Sequence, residues 1–130
     1  MAQFRFCYFT PKYEETVAFY RDRLELTLAE SWDRDRDDRG SLFEAAAGLI
    51  EVIAKPEGPS DHHWDTRPPQ GAMIVIEVDD VTEQYGRVKA NHIPIVDPLK
   101  DQSWGHRSFC IREPNGLLLY FFSELSPRSA

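Results

Sequence analysis

Alternation of apolar and polar positions, the two-residue period of a pleated strand, runs along Gln3 to Phe9 and returns in later segments of the chain. Short apolar-rich runs bounded by turn residues predict further strands over Ser41 to Ala45 and Leu49 to Ala54, over Met73 to Val78, and over Arg107 to Arg112 and Leu117 to Phe122, with Leu26 to Ser31 extended. Two stretches instead return their apolar residues to one helical face. Val17, Tyr20 and Leu24 mark a helix over Tyr13 to Arg23, and Val81, Tyr85 and Val88 mark another over Val81 to Ala90. The resulting β-α-β-β-β order occurs twice, at an offset of about 65 residues, which pairs Tyr20 with Tyr85. The repeat lies in element order and spacing, since residue identity between the halves is low.

Turn and cap chemistry supports these boundaries. Glu113-Pro-Asn-Gly116 joins the last two strands, with proline suited to the second turn position and Asn-Gly supplying the permissive φ of a tight reversal. Asp80 and Glu83 stand three residues apart at the start of the second helix, so both side chains can satisfy free N–H groups of its first turn. Asn91 follows its end and tolerates a left-handed cap. Gly86, inside that helix, costs roughly 1 kcal/mol relative to alanine. Lys55 to Gly71 holds Pro56, Pro59, Pro68 and Pro69 and reads as a linker between the halves, while the charge-dense Asp33 to Arg39 reads as a solvated hairpin loop.

At 130 residues and 42% hydrophobic, the chain can bury one core and has no room for two independent domains. Its formal net charge of -7 argues against nucleic acid or an anionic membrane as partner. No segment has the unbroken apolar length of a membrane span, and the leading Met-Ala-Gln-Phe-Arg lacks a signal peptide's apolar centre, so a cytoplasmic location is the expectation. Cys7 and Cys110, both in predicted strands, read as reduced packing residues.

Three stretches carry a family resemblance: Thr16-Val-Ala-Phe-Tyr-Arg-Asp-Arg-Leu-Glu-Leu26, Ile76-Glu-Val-Asp-Asp-Val81, and Trp104-Gly-His-Arg-Ser-Phe109 running into Arg112-Glu-Pro-Asn-Gly116. In their order and spacing the chain resembles the vicinal oxygen chelate superfamily, the glyoxalase, bleomycin-resistance and ring-cleaving dioxygenase group. The resemblance implies an α+β fold in which two βαβββ modules, about 1–55 and 72–125 with a linker at about 56–71, form a curled mixed sheet around a central cavity within one domain. It also implies a homodimer.

Metal-dependent members of that group place four ligands in the cavity, from the first and last strands of each module. Carried onto this chain, those positions hold Arg5, Glu51, Met73 and Tyr120. Only Glu51 is an ordinary ligand, because arginine is permanently cationic, methionine is a soft thioether and a tyrosine phenol deprotonates near pH 10. The resemblance therefore implies a lost metal site, with no cofactor, and an Arg5 to Glu51 ion pair in its place. Alternation adds Cys7 and Phe9 to the face of Arg5, Val75 and Glu77 to that of Met73, and Leu118 and Phe122 to that of Tyr120. Trp104 and His106 fall in the loop that borders the cavity mouth.

Each residue keeps a plainer reading. Arg5 either faces the cavity or snorkels to solvent, since a shift of one position reverses its face. Tyr120 serves equally as a core residue, Cys7 as packing, Trp104 and His106 as a packing indole and a surface imidazole, and His92 as a complement to the helix dipole. His62 and His63, with Asp61 and Asp65, have metal-binding chemistry but sit in the proline-rich segment. Three function classes stay open: a metal-free small-molecule binder, for which an aromatic and apolar wall with few polar groups suffices; an enzyme, either dependent on a divalent metal ion with unusual ligands or using Glu51 as base and His106 as acid; and an interaction module, if Phe9, Tyr120 and Phe122 fill the cavity.

Overall fold

The structure, a computed structural model, describes residues 2–35, 38–56 and 65–126. The chain divides into two compact units, Met1–Gln70 and Gly71–Ala130. The first contains β1 (Arg5–Thr10), α1 (Tyr13–Ala18), a π-helical turn (Phe19–Arg23), β2 (Leu28–Asp35), β3 (Asp38–Ala45) and β4 (Gly48–Ala54). The second contains β5 (Met73–Glu77), α2 (Val81–Ala90), β6 (Ile95–Asp101), β7 (His106–Arg112) and β8 (Leu118–Glu124). Each unit is thus a βαβββ module. Each builds one mixed four-stranded sheet, in the order β1-β4-β3-β2 and β5-β8-β7-β6, with the first strand parallel to the last and the remaining pairs antiparallel.

A helix covers one face of each sheet. In the first module Tyr20 is fully buried, its ring 5.4 Å from that of Phe43 on β3 and its hydroxyl 2.9 Å from that of Tyr8 on β1. Tyr13 adds a 2.6 Å hydrogen bond from α1 to Ser41. In the second module Val81 and Val88 are buried, and Tyr85 sets its ring 5.1 Å from Phe109, which stacks on Phe121. The two tyrosines are equivalent in place, but Tyr85 is only half-buried and carries the Lys89 ammonium over its exposed side.

Several local expectations change. The first helix is not regular to its end: the Leu24 N–H reaches the Phe19 carbonyl at 2.8 Å, the longer reach of a π-turn, and Glu25 then takes a φ of 61°. Asp80 does cap α2, accepting from the Glu83 N–H at 3.1 Å, while the Glu83 carboxylate turns toward Arg87 at 3.9 Å. The left-handed residue after α2 is His92, with φ 58°, and Asn91 stays at −89°. Most of Asp33 to Arg39 is strand and not loop. Charges suit it there because the ribbon's own ion pairs, Arg34 with Asp38 at 2.8 Å and Arg39 with Asp33 at 3.5 Å, neutralise them along an exposed edge. His62, His63 and Asp61 lie outside the described residues; Asp65 is paired with Arg67 at 2.6 Å. No helix among the described residues is long and apolar enough to cross a membrane.

Candidate functional site

Since Tyr8 reaches the helix, strand alternation puts Arg5, Cys7 and Phe9 on the helix-free face of the first sheet. Cys7 stands in register with Glu51 on β4, and Arg5 Nη1 donates to Glu51 Oε1 at 3.0 Å. Arg5 and Glu51 thus share the helix-free face. Burial, however, is unequal: the Arg5 side chain is 49% exposed and that of Glu51 13%. Water therefore screens the pair, and Arg5→Ala or Glu51→Ala is expected to cost only roughly 1 kcal/mol. Thermal melts check this; a cost of several kcal/mol from either change would mean a desolvated pair.

Cys7 shares that face and is exposed there, not packed as its strand position suggested. Desolvation first, and the Glu51 carboxylate second, push its thiol up to about 11 against an opposing pull from Arg5. At neutral pH it is almost wholly protonated, so alkylation by iodoacetamide at pH 7.5 is expected to be slower than for an unperturbed cysteine. Glu51→Gln removes a negative neighbour, lowers the thiol's pKa and is expected to speed the reaction. Rates unchanged by that substitution would contradict the assignment.

In the second module, β8 presents Leu118, Tyr120, Phe122 and Glu124 on the helix-free face, because Phe121 between them packs on the helix side against Phe109. Val75 lies across from Tyr120 and Met73 across from Leu118; both are apolar and about half exposed, at 55% and 49%. His106 opens β7 opposite Glu124, its ring stacked on Phe122 at 3.9 Å and 15°. Its Nδ1 lies 3.1 Å from the Tyr120 hydroxyl, and its Nε2 lies 3.7 Å from Glu124 Oε1. Trp104, held in the turn before β7 and 62% exposed, donates its indole N–H to the same hydroxyl at 3.1 Å. Gly105, at φ 92°, provides the backbone conformation that links the two.

The sequence-predicted residues therefore fall into two groups. Arg5, Cys7, Phe9 and Glu51 share one face of the first sheet; Trp104, His106 and Tyr120 are joined by hydrogen bonds in the second module, with Met73 two residues from Val75, the partner of Tyr120. Glu124 was missed. Its signal was the alternation itself, which continues from Tyr120 and Phe122 to Glu124. The four carried-over positions make a poor donor set for a divalent ion: Glu51 binds the Arg5 guanidinium, Met73 is an exposed thioether and the Tyr120 oxygen accepts from an indole. Among the described residues no three His, Cys, Asp or Glu side chains gather as a metal group.

Residues 3–121 match the sequence model of the Glyoxalase/Bleomycin resistance protein/Dioxygenase superfamily. The chain belongs to this superfamily. Among solved structures, it resembles TioX from Micromonospora sp. ML1 with a TM-score of 0.79 at 20% identity, covering 96% of this chain and 100% of that one. An antibiotic-binding protein, TnmS3 from Streptomyces sp. CB03234, matches with a TM-score of 0.70 at 17% identity over 95% and 96%. Lactoylglutathione lyase from Agrobacterium tumefaciens matches at 0.68 and 18% over 94% and 92%. At such low identity the likeness is one of fold, and by their names the proteins that share it include both an antibiotic-binding protein and a lyase. An uncharacterised protein of Shewanella frigidimarina is 24% identical over 97 residues, 72% of each chain.

Proposed function

We propose that this superfamily member binds a small aromatic molecule without a metal ion, on the helix-free face of the β5-β8-β7-β6 sheet. One observation carries the reading: Trp104, Met73 and Val75 expose apolar surface beside a Tyr120 hydroxyl fixed by two hydrogen bonds. Small-molecule sites combine apolar area with a few oriented polar groups in this way. TnmS3 is an example of this fold serving an antibiotic-binding protein, and the donor chemistry at Glu51, Met73 and Tyr120 supports a metal-free reading.

A thermal-shift screen of flat aromatic phenols, amides and carboxylates, run with a chelator present, tests this. A ligand at about 100 times its dissociation constant should raise stability by about 2.7 kcal/mol. Native mass spectrometry of freshly purified protein should reveal a retained small molecule. Absence of any hit, or hits whose shifts persist in Trp104→Ala and Tyr120→Ala, would contradict the site.

A second reading, acid–base catalysis, is favoured by the chain of Glu124, His106 and Tyr120, since a carboxylate beside an imidazole that is bonded to a phenol is suited to moving a proton. Turnover of a bound compound, lost in His106→Phe, would move the assignment to this class.

A further inference from the structure

We infer that the ligand face of the second module selects molecules that donate a hydrogen bond, because the Tyr120 hydroxyl commits its own hydrogen to His106; this rests on the small-molecule reading above. The indole N–H of Trp104 only donates, so at 3.1 Å it occupies one acceptor site of the Tyr120 oxygen. The direction of the second bond is set by the far side of the imidazole. There Nε2 lies 3.7 Å from Glu124 Oε1, beyond hydrogen-bond length, but the carboxylate's negative charge favours the hydrogen on that nitrogen over the lone pair. The neutral ring therefore carries its hydrogen on Nε2 and presents a lone pair at Nδ1, a tautomer assigned from its partners. Tyr120 O–H then donates to Nδ1 at 3.1 Å.

Stacking on Phe122 at 3.9 Å holds the imidazole plane in this pose. A phenol has one hydrogen and two acceptor sites, so after both bonds a single lone pair is left. Tyr120 meets an incoming molecule as an acceptor. A flat aromatic with an O–H or N–H matches that lone pair while its body lies against Val75, Met73 and the Trp104 ring. An ether or carbonyl at the same point sets oxygen against oxygen. His106 is a positioning residue here, acting through Tyr120.

The test is titration of the isotope-labelled full chain with naphthol and, separately, with its methyl ether, at about pH 8, well above the ordinary imidazole range. Binding is followed by the Trp104 indole N–H resonance, assigned from its loss in Trp104→Phe. Naphthol should bind about tenfold more tightly, the factor that corresponds to roughly 1.4 kcal/mol. Tyr120→Phe should abolish the difference. His106→Phe keeps an aromatic ring for Phe122 but frees the Tyr120 hydrogen, and should shrink or reverse the preference. Equal affinities in the wild type, a preference for the ether, or a difference unchanged by either substitution would overturn donor selection while leaving the binding site in place. Failure of both compounds to move the Trp104 resonance at millimolar concentration would overturn the site and the selection together.

Discussion

Glu113→Ala is expected to destabilise the protein by about 3 kcal/mol. The side chain is buried at 2% exposure, and its carboxylate accepts from the Asn115 N–H at 2.6 Å, the Leu117 N–H at 2.8 Å and the Asn115 side-chain amide at 2.8 Å. Hydrogen bonds to a charged group contribute roughly 1.5–3 kcal/mol each, and removing the acceptor leaves buried donors unpaired. The turn keeps two backbone bonds of its own, Glu113 N–H to Leu117 and Gly116 N–H to Glu113, both 2.9 Å, so the loss should fall short of the full sum. Glu113→Gln keeps one acceptor oxygen and should cost less than half as much. Urea unfolding checks both: the midpoint should fall with an unchanged slope. A midpoint that stays put in Glu113→Ala would mean the turn is held by Asn115 and Gly116 alone.

Tyr20→Ala should be similarly damaging, at roughly 3–5 kcal/mol, the usual cost of truncating a buried aromatic. Tyr20 is fully buried, packs edge-on against Phe19 and lies 5.4 Å from Phe43, so its removal empties the space between α1 and the first sheet. Tyr20→Phe loses only the hydroxyl contact with Tyr8, about 1 kcal/mol. The matching change in the second module, Tyr85→Ala, should cost about half as much as Tyr20→Ala, because Tyr85 is half-buried. Equal losses at the two tyrosines would show that the modules share one packing scheme despite this difference in burial.

The doubled βαβββ order was legible because strand alternation, helical stripes and turn chemistry agreed. The Asp80 cap and the Glu113 to Gly116 reversal are local signals with local causes, and both stand where the sequence put them. The elements that escaped depend on long-range context. Ile95–Asp101 contains Pro98 and three charged residues, which hide a strand; an edge position tolerates them, since its outer backbone groups need no partner. The π-turn after Ala18 and the left-handed His92 are set by how each helix must leave its sheet, for which residue preference is a weak guide. Alternation was enough to put Arg5, Glu51 and Tyr120 on the helix-free faces of their sheets. It gave no sign that Trp104 and His106 would converge on one hydroxyl, because a turn, not a period, brings them there.

The central claim, a metal-independent binding site built on Tyr120 and Trp104, is tested most directly by calorimetric titration of the tightest aromatic hit into protein with and without a chelator. Affinity should be the same in both buffers and should fall at least about tenfold in Tyr120→Ala, the equivalent of roughly 1.4 kcal/mol. Binding that appears only when a divalent ion is supplied, or that is untouched by Tyr120→Ala, would contradict it.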